Sequence, residues 1–344
     1  MLKYHFFNDY SEGAHPALLE FITESNLSQE EGYGNDRVSM KARDLIRQSV
    51  GNPKAHIHFV SGGTQANLVV LASMLKPHES LMAAESAHIH THEAGAIETT
   101  GHKINTISSE NGKILPDQIR FIMETHTDEH MVKPRVVFIS NSTELGTVYT
   151  INELENISKV CKSHGLFLYM DGARLGSALM SQASDLSFSD LNRWVDIYYI
   201  GGTKNGALMG EAIVINNSEL ARDFRYHLKQ RGALVAKSRF LGAQFAGLFQ
   251  NDLYFSLARH ANAMADKISA HLGKWGFSFL TTPSTNQIFP ILPNAMIMRL
   301  QELYGFHVWK KMGHESSAIR LVTSWATQEE AVDGFLMDFK AMID

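Results

Sequence analysis

Two polar residues follow apolar runs at positions where their side chains could do chemistry. The segment VDIYYIGGTKNG places Lys204 after the apolar run 197–200 and a Gly-Gly-Thr turn. Burial penalises the ammonium form of lysine, and the resulting fall in pKa lets the amine bond an aldehyde or ketone as a Schiff base. The alternative for this segment alone is an ordinary loop lysine beside two glycines.

The segment LFLYMDGARLG places Asp171 directly after an apolar run, with Arg174 close behind. A carboxylate at the end of a buried strand needs a partner. The protonated pyridine nitrogen of a bound cofactor is one such partner. The alternative is that Asp171 caps the next helix, because aspartate is a favoured N-cap residue.

A glycine-rich turn in HIHFVSGGTQANLVVL leads from an apolar run into a helical pattern. Backbone N–H groups at a helix N-terminus, approached through glycine, suit a phosphate. The turn matches neither the G-x-G-x-x-G fingerprint nor a Walker A loop, which argues against NAD and ATP. It fits a single phosphate monoester, and the alternative is a plain βα turn.

Three histidines, His88, His90 and His92, lie in ESAHIHTHEAG, in a stretch that we predict to be helical. A zinc site is disfavoured because H-E-x-x-H is absent and no carboxylate completes a ligand set. We therefore expect no metal. The functional alternative is that the His88 ring stacks on a planar cofactor.

The three strand-end features are more informative together than apart. A phosphate turn, a strand-end Asp171 and a strand-end Lys204 follow one another in the same chain. Together they would hold the phosphate, pyridine nitrogen and aldehyde carbon of pyridoxal 5'-phosphate (PLP).

The elements that must position these residues alternate between strands and helices. From about residue 55, short apolar runs alternate with amphipathic helical patterns, which indicates βαβ units and a mainly parallel sheet. Between Ile200 and Ala212 there is no room for a crossover helix, so the strand EAIVI should run antiparallel to its neighbour or lie far from it. Lys204 then lies in a loop that follows the carboxyl end of a strand, and open α/β sheets bind ligands at these ends.

The pattern changes after about residue 217, where two long helical stretches (219–249 and 254–276) precede short strands and further helices. We predict an N-terminal arm (1–30), a large PLP-binding α/β domain (31–250) and a small α+β domain (251–344).

Composition limits the classes of function. Among 344 residues, the hydrophobic fraction is 44% and the net charge is -5, which favours neither nucleic acid nor an anionic membrane as partner. The single Cys161 fits a reducing compartment. The N-terminal segment lacks the long apolar region of a signal peptide, and no apolar run is long enough for a membrane helix. These features predict a cytoplasmic protein.

The chain resembles a known family: the low-specificity threonine aldolase and β-eliminating lyase group of fold-type I PLP enzymes. The motifs that carry the resemblance are YGND, SGGTQANL, AAESAH, MDGARLG, GGTKNG and AIRLVTSW, and they extend over nearly the whole chain. The resemblance implies that Lys204 bonds the cofactor aldehyde, Asp171 holds the pyridine nitrogen and His88 stacks on the ring. It also implies that the phosphate turn includes Gly63, Thr64 and Gln65.

The same resemblance implies a substrate site. Arg174 matches an arginine near the cofactor ring and the substrate carboxylate. Arg320 matches the arginine that receives the α-carboxylate, for which a planar guanidinium is well suited. Tyr33 matches a residue that reaches the site from a neighbouring subunit, since members are homo-oligomers (dimers or tetramers) with active sites at dimer interfaces.

Two positions depart from the family pattern. Glu144 stands in ISNSTELGTV where threonine aldolases carry a histidine near the substrate hydroxyl. Asn8, Asp9 and Tyr10 replace an S-D-T motif, so Asn8 changes another substrate-side contact.

The resemblance implies PLP-dependent cleavage of a β-hydroxy-α-amino acid to glycine and an aldehyde. Glu144 or a bound water is the expected base for the β-hydroxyl proton. Open alternatives are β-elimination, transamination or racemisation of another amino acid, a nucleotide-dependent oxidoreductase, and a non-catalytic PLP-binding protein.

Overall fold

The computed structural model describes residues 2–343. Its strands are β1 (Tyr4–His5), β2 (His56–Val60), β3 (Glu79–Ala84), β4 (Ile104–Ile107), β5 (Lys133–Ser140), β6 (Phe167–Asp171), β7 (Ile197–Gly201), β8 (Glu211–Ile215), β9 (Gln287–Ile288), β10 (Ile291–Pro293), β11 (Tyr304–Gly305), β12 (His307–Lys311) and β13 (Ser316–Val322). Its α-helices are α1 (Pro16–Ser25), α2 (Arg37–Val50), α3 (Gly63–Met74), α4 (His88–Thr91), α5 (Pro116–Thr125), α6 (Ile151–Ser163), α7 (Leu175–Leu179), α8 (Phe188–Trp194), α9 (Ser218–Ala221), α10 (Phe224–Gln230), α11 (Arg239–Phe249), α12 (Leu253–Lys274), α13 (Asn294–Gln301) and α14 (Glu329–Lys340).

A seven-stranded sheet in the order β2-β8-β7-β6-β5-β3-β4 forms the centre of the fold. The pairs from β7 to β4 are parallel, and β8 is antiparallel to both of its neighbours. The short loop between β7 and β8 explains this exception, because a parallel connection needs a crossover helix. The predicted mainly parallel sheet with one antiparallel strand is confirmed.

Alternate residues along the central strands enter two separate apolar clusters, one on each face of the sheet. Tyr198 and Ile200 lie in one cluster, and Ile197 and Tyr199 lie in the other. Helices cover both faces, so β3, β7 and β8 are buried along their whole length. This burial explains why these strands are apolar apart from Glu79, Ser80 and Glu211 at the starts of β3 and β8.

The edge of the sheet at the carboxyl ends of the parallel strands collects the polar residues. β6 ends at Asp171, β5 ends at Ser140 and β7 ends at Gly201. Because β8 is antiparallel, its first residue, Glu211, lies opposite Gly201 at this same edge. The topology thus places four chain segments around one opening.

The C-terminal part of the chain has its own sheet, β10-β13-β12 with β9 on β13, and its own apolar cluster. The N-terminal arm joins this part, because β1 pairs with β11 and Phe6 is fully buried in the cluster. The exact domain boundaries at residues 30 and 250 stay a prediction.

Two helix predictions were wrong. The stretch after His88 forms only the single turn α4 and a 3₁₀ turn at 98–100, because the backbone takes positive φ at Ala94 and Gly95. His92 therefore follows the helix as its C-cap instead of lying within it. The stretch 219–249 is divided into α9, α10 and α11. In residues 2–343, no helix combines the length and apolarity required to cross a bilayer.

Candidate active site

A cavity of about 330 Å³ opens at the carboxyl edge of the central sheet. The predicted site residues that line it are Gly63, Thr64, His88, Glu144, Asp171, Arg174 and Lys204. Other lining residues are Tyr10, Ser61, Gly62, Glu93, Ser140, Ser142, Ala173, Tyr199, Thr203 and Glu211. The fold therefore brings together residues separated by up to 201 positions in sequence (10 to 211).

Lys204 lies in the loop between β7 and β8, with its Nζ 6.0 Å from the centre of the Tyr10 ring. Burial lowers the pKa of its amine, and the nearby Arg174 lowers it further, against the opposing effects of Asp9, Asp171 and Glu211. A lysine whose amine loses its proton more readily is suited to bond a carbonyl carbon.

Asp171 is 5% exposed, and both of its carboxylate oxygens accept hydrogen bonds. Oδ1 accepts from the Tyr199 hydroxyl (2.5 Å) and the Ala173 amide (3.0 Å), and Oδ2 accepts from Asn67 (3.1 Å). These partners are neutral, so they orient the carboxylate without removing its charge. The charge remains available for a cation in the cavity.

A second carboxylate, Glu93, holds the ring of His88. Its Oε1 lies 2.9 Å from His88 Nδ1 and accepts a hydrogen bond from the Asn67 amide at 2.8 Å. Asn67 also bonds Asp171. One buried asparagine thus couples the orientation of the histidine to that of the strand-end aspartate.

Glu144 is held by the His88 amide (3.0 Å) and the Ser140 hydroxyl (2.8 Å), which both donate to Oε1. Burial raises the pKa of its carboxyl; the Ser140 bond lowers that pKa and the charge of Asp171 raises it. A carboxyl with a raised pKa in a cavity is suited to accept and return a proton.

The phosphate-type turn opens α3 at the cavity wall. Gly62 offers no side-chain cap, so the first N–H groups of the helix keep their hydrogen-bonding capacity. A Cβ on Gly63 would lie 3.0 Å from the Tyr199 hydroxyl, so a larger residue would crowd the phosphate-type turn. Gln65 does not line the cavity, and its Oε1 accepts hydrogen bonds from the amide and hydroxyl of Ser61.

Arg174 forms a bidentate ion pair with Asp9, at 2.7 and 2.9 Å. Asn286 donates a further bond of 2.9 Å to Asp9. Burial alone would raise the pKa of Asp9, but Arg174 and its hydrogen bonds hold that pKa below its usual value. The arm residue Asp9 thereby fixes the guanidinium at the cavity wall.

Arg320, Asn8 and Tyr33 do not line the cavity. The Arg320 guanidinium lies 4.9 Å over the Trp309 ring and donates to the Phe7 carbonyl (3.3 Å), while its buried Nε has no hydrogen-bond partner in residues 2–343. Asn8 accepts bonds from Tyr10 and Ser11, within the arm.

Tyr33 is 42% exposed, and Lys229 lies 4.7 Å over its ring. Its side chain thus stands on the surface of its own chain. Its predicted contact with a site therefore requires a second subunit, and that contact stays a prediction.

The sequence reasoning missed Tyr199, Asn67, Glu93, Asp9 and Glu211. Tyr199 reads as one more residue of a buried strand, and its polar end could not be assigned from the pattern. Asn67 sits on the same face of α3 as apolar residues. Glu93 directly follows His92 in sequence, and no local pattern predicts that it bonds the ring of His88. Across residues 2–343 no group of three acidic, cysteine or histidine side chains is arranged to hold a metal ion.

The residues present fit a PLP group. Free N–H groups at the start of α3 suit its phosphate, and the Asp171 carboxylate, whose hydrogen-bond partners are neutral, suits its ring nitrogen. The Lys204 amine, with its lowered pKa, suits its aldehyde carbon.

Comparison with known proteins agrees with this chemistry. Residues 13–294 match the model of the family described as beta-eliminating lyase. The low specificity L-threonine aldolases of Pseudomonas aeruginosa and of a Pseudomonas species are 34% and 33% identical, over 98% of this chain and 97% of theirs.

Solved structures show the same fold. A threonine aldolase from Leishmania major superposes with a TM-score of 0.97 at 43% identity, over 99% of this chain and 100% of that one. An aspartate aminotransferase from Thermus thermophilus superposes with a TM-score of 0.73 at 13% identity, over 100% of this chain and 92% of that one, which shows the shared fold alone. The match over most of the chain establishes the family: this chain belongs to the β-eliminating lyases, with the fold-type I architecture.

Proposed function

We propose that this protein is a PLP-dependent lyase that cleaves β-hydroxy-α-amino acids of the threonine or allo-threonine type to glycine and an aldehyde. The observation that carries the proposal is the placement of Lys204, Asp171 and the open N-terminus of α3 around one cavity. The threonine aldolases among the relatives, aligned over almost the full chain, support the same reaction.

PLP, when bound, supplies the electron sink that lets a bond at the α-carbon break. Lys204 would hold the aldehyde carbon, and Gly63 and Thr64 would hold the phosphate. Asp171 would hold the ring nitrogen, while His88, oriented by Glu93, would cover one face of the ring. The protein's contribution is to bind, orient and exclude water.

The substrate carboxylate needs a cationic partner, and Arg320, which does not itself line the cavity, lies near Arg174, Asp9 and the cavity residue Tyr10. Arg320 has a buried Nε without a partner in residues 2–343, and an unmade hydrogen bond of this kind is costly unless a ligand completes it. A carboxylate would satisfy that nitrogen with the geometry that guanidinium groups favour. Arg174, held by Asp9, would lie at the edge of the same carboxylate-binding region.

Glu144 is our candidate for the group that removes the β-hydroxyl proton. Its carboxylate lies in the cavity, and its Oε1 is tied to Ser140 and to the His88 amide. Loss of that proton is what allows the carbon–carbon bond to break with formation of an aldehyde. Glu144 would then hold the proton within the cavity.

A second candidate function is PLP-dependent β-elimination or transamination of another amino acid. The observation that favours it is Glu144 itself, because an acid with a raised pKa can also protonate a leaving group. The aldehyde assay below separates the two reactions.

We further propose a homo-oligomer, a dimer or tetramer, with active sites at the dimer interface. Leu208 and Met209, in the loop after Lys204, are 51% and 46% exposed, and Tyr33 is also exposed. Apolar side chains exposed near a site suit a subunit contact. The buried, unpaired Cys161 suits the reducing cytoplasm that we propose as the protein's location.

Aldehyde release tests the proposed reaction. The PLP-loaded protein is mixed with L-threonine, L-allo-threonine and L-phenylserine, and the Lys204→Ala variant serves as the blank. We expect acetaldehyde or benzaldehyde from the wild type only. If no aldehyde forms while the wild type still binds PLP, the aldol reaction is wrong and β-elimination or transamination takes its place.

A further inference from the structure

Glu211 is a buried acid in the cavity that the proposed function does not use. It is 4% exposed and lines the same cavity as Lys204 and Asp171. Its position follows from topology, because only an antiparallel strand can place its first residue among the carboxyl ends of the parallel strands. A buried carboxyl in this position requires a physical account.

Both oxygens of Glu211 are bonded to the loop that carries Lys204. Oε2 accepts from the Gly202 amide and Oε1 accepts from the Thr203 hydroxyl, each at 2.8 Å. The Thr203 hydroxyl in turn accepts from the Gly210 amide at 2.9 Å. The carboxyl is therefore held beside the two residues that precede the lysine.

The other charged groups near Lys204 already have partners. Asp9 is paired with Arg174, and in the proposed function Asp171 faces the cofactor ring nitrogen. Arg174 opposes the ammonium form of Lys204, while Asp9, Asp171 and Glu211, in decreasing order, favour it. The phenol hydroxyls that also face Glu211 are neutral groups with raised pKa values, and they belong to Tyr169, Tyr199 and Tyr254.

The pKa values of Glu211 and Lys204 are shifted toward each other. Burial raises the pKa of the Glu211 carboxyl to about 7, although Thr203, Gly202 and Lys204 oppose the shift. Burial and Arg174 lower the pKa of the Lys204 amine. As the two values approach, moving a proton from one group to the other costs less free energy.

We propose that Glu211 controls the protonation of Lys204, as the counter-charge of its ammonium and the holder of the proton when the amine is neutral. The exchange is balanced: an ammonium and a carboxylate become an amine and a carboxylic acid. Glu211 is thus a positioning residue that acts through Lys204. The proposal rests on the proposed function, in which the amine must be neutral to attack a carbonyl carbon.

The test measures the pKa of Lys204 directly. The full-length, cofactor-free protein is acylated with a limiting amount of acetic anhydride across a pH series, and labelling of Lys204 is quantified by peptide mass spectrometry. We expect Glu211→Gln to lower the midpoint of Lys204 labelling by up to about one pH unit, because the ammonium loses a counter-charge. Other lysines should keep their midpoints.

Two variants distinguish an effect of the Glu211 charge from an effect on the structure of the loop. Glu79→Gln removes a buried carboxyl (6% exposed) at the amino end of β3, the opposite edge of the sheet, and should leave the Lys204 midpoint unchanged. Glu211→Asp keeps the charge while shortening the side chain. It should hold the midpoint near that of the wild type, whereas a role limited to bracing the loop would make it behave like Glu211→Gln.

Equal midpoints in Glu211→Gln and Glu79→Gln would overturn the proposal. If Glu211→Gln does not fold, infrared difference spectra of the wild type and Lys204→Met serve instead. The wild type should show a carboxyl band that titrates near neutral pH, and in Lys204→Met the titration midpoint of this band should lie at higher pH. An unchanged midpoint also overturns the proposal. Failure of the proposed function would be seen separately, in the aldehyde assay. The wild type would then release no aldehyde, whatever the labelling midpoint of Lys204.

Discussion

Glu144 illustrates how single residues in this site derive their properties from burial. Its two hydrogen-bond donors, the His88 amide and the Ser140 hydroxyl, keep its carboxyl in place. Burial raises its pKa, so the carboxyl retains its proton to a higher pH than an exposed glutamate does. Its charge state is therefore a measurable control on the reaction.

Replacing Glu144 by glutamine should reduce kcat for aldehyde release by about 10²-fold or more, the usual contribution of a general base. A base works only when ionised, so wild-type kcat should fall as the pH drops through the raised pKa of Glu144. The glutamine variant should lose this acid limb. The pH profile of kcat with L-threonine measures both effects.

Ser140→Ala is the matched variant for this prediction. The Ser140 hydroxyl lowers the pKa of Glu144, so its removal should move the acid limb to higher pH while leaving the plateau largely intact. A Glu144→Gln protein that retains the full cleavage rate would remove Glu144 from the mechanism and leave a bound water as the base.

At the scale of elements, the site depends on how closely the β6–α7 turn approaches β7. Gly172, directly after Asp171, lies against the backbone of Tyr199, and an added Cβ would fall inside van der Waals contact of the Tyr199 carbonyl oxygen. That contact holds the ends of two strands in register, one bearing Asp171 and the other leading to Lys204. Glycine is needed here for space.

Gly172→Ala should therefore destabilise the fold by about 3 kcal/mol or more, the upper end of overpacking costs, because backbone must move. Urea unfolding followed by circular dichroism gives the change. Gly273→Ala, on α12 with no heavy atom within 4 Å of the new Cβ, is the control. It should be neutral or stabilising by up to about 1 kcal/mol. Similar unfolding free energies for the two variants would contradict the packing argument.

At the scale of the whole molecule, the N-terminal arm connects the two parts of the chain. β1 pairs with β11, Phe6 is buried in the C-terminal apolar cluster, and Asp9 binds Arg174 at the cavity. The first ten residues thus contribute both to packing and to the site. Tyr33, further along, reaches neither its own cavity nor the C-terminal cluster.

If Tyr33 serves the site of a neighbouring subunit, two inactive variants should complement each other. Random mixing of Lys204→Ala and Tyr33→Ala chains as dimers should restore about a quarter of wild-type aldehyde release, since half of the dimers would contain one intact site. Each variant alone, taken through the same dissociation and reassociation, is the control. If Tyr33 instead acted within its own chain, no mixed dimer would hold an intact site and activity would stay at the level of the controls.

The sequence by itself determined the alternation of strands and helices, the lack of a crossover helix before β8 and the strand-end positions of Lys204 and Asp171. These features depend on local periodicity and on loop length, which are readable along the chain. The short segment between Ile200 and Ala212 excluded a crossover whatever the rest of the molecule did. The family motifs added expected roles for residues such as Arg320.

Only the tertiary structure decided which polar groups meet. Tyr199, Asn67 and Glu93 join Asp171 and His88 through contacts between residues up to 104 positions apart (67 and 171), and no periodicity encodes such a pairing. The helix predicted after His88 does not form, although the local pattern is helical, because the backbone takes positive φ values at Ala94 and Gly95.

The charge states likewise belong to the folded protein. The pKa values of Glu211 and Lys204 depend on burial and on neighbours brought in from other strands and from the arm. Sequence specifies which titratable groups exist, and packing fixes how much water and which charges each of them faces.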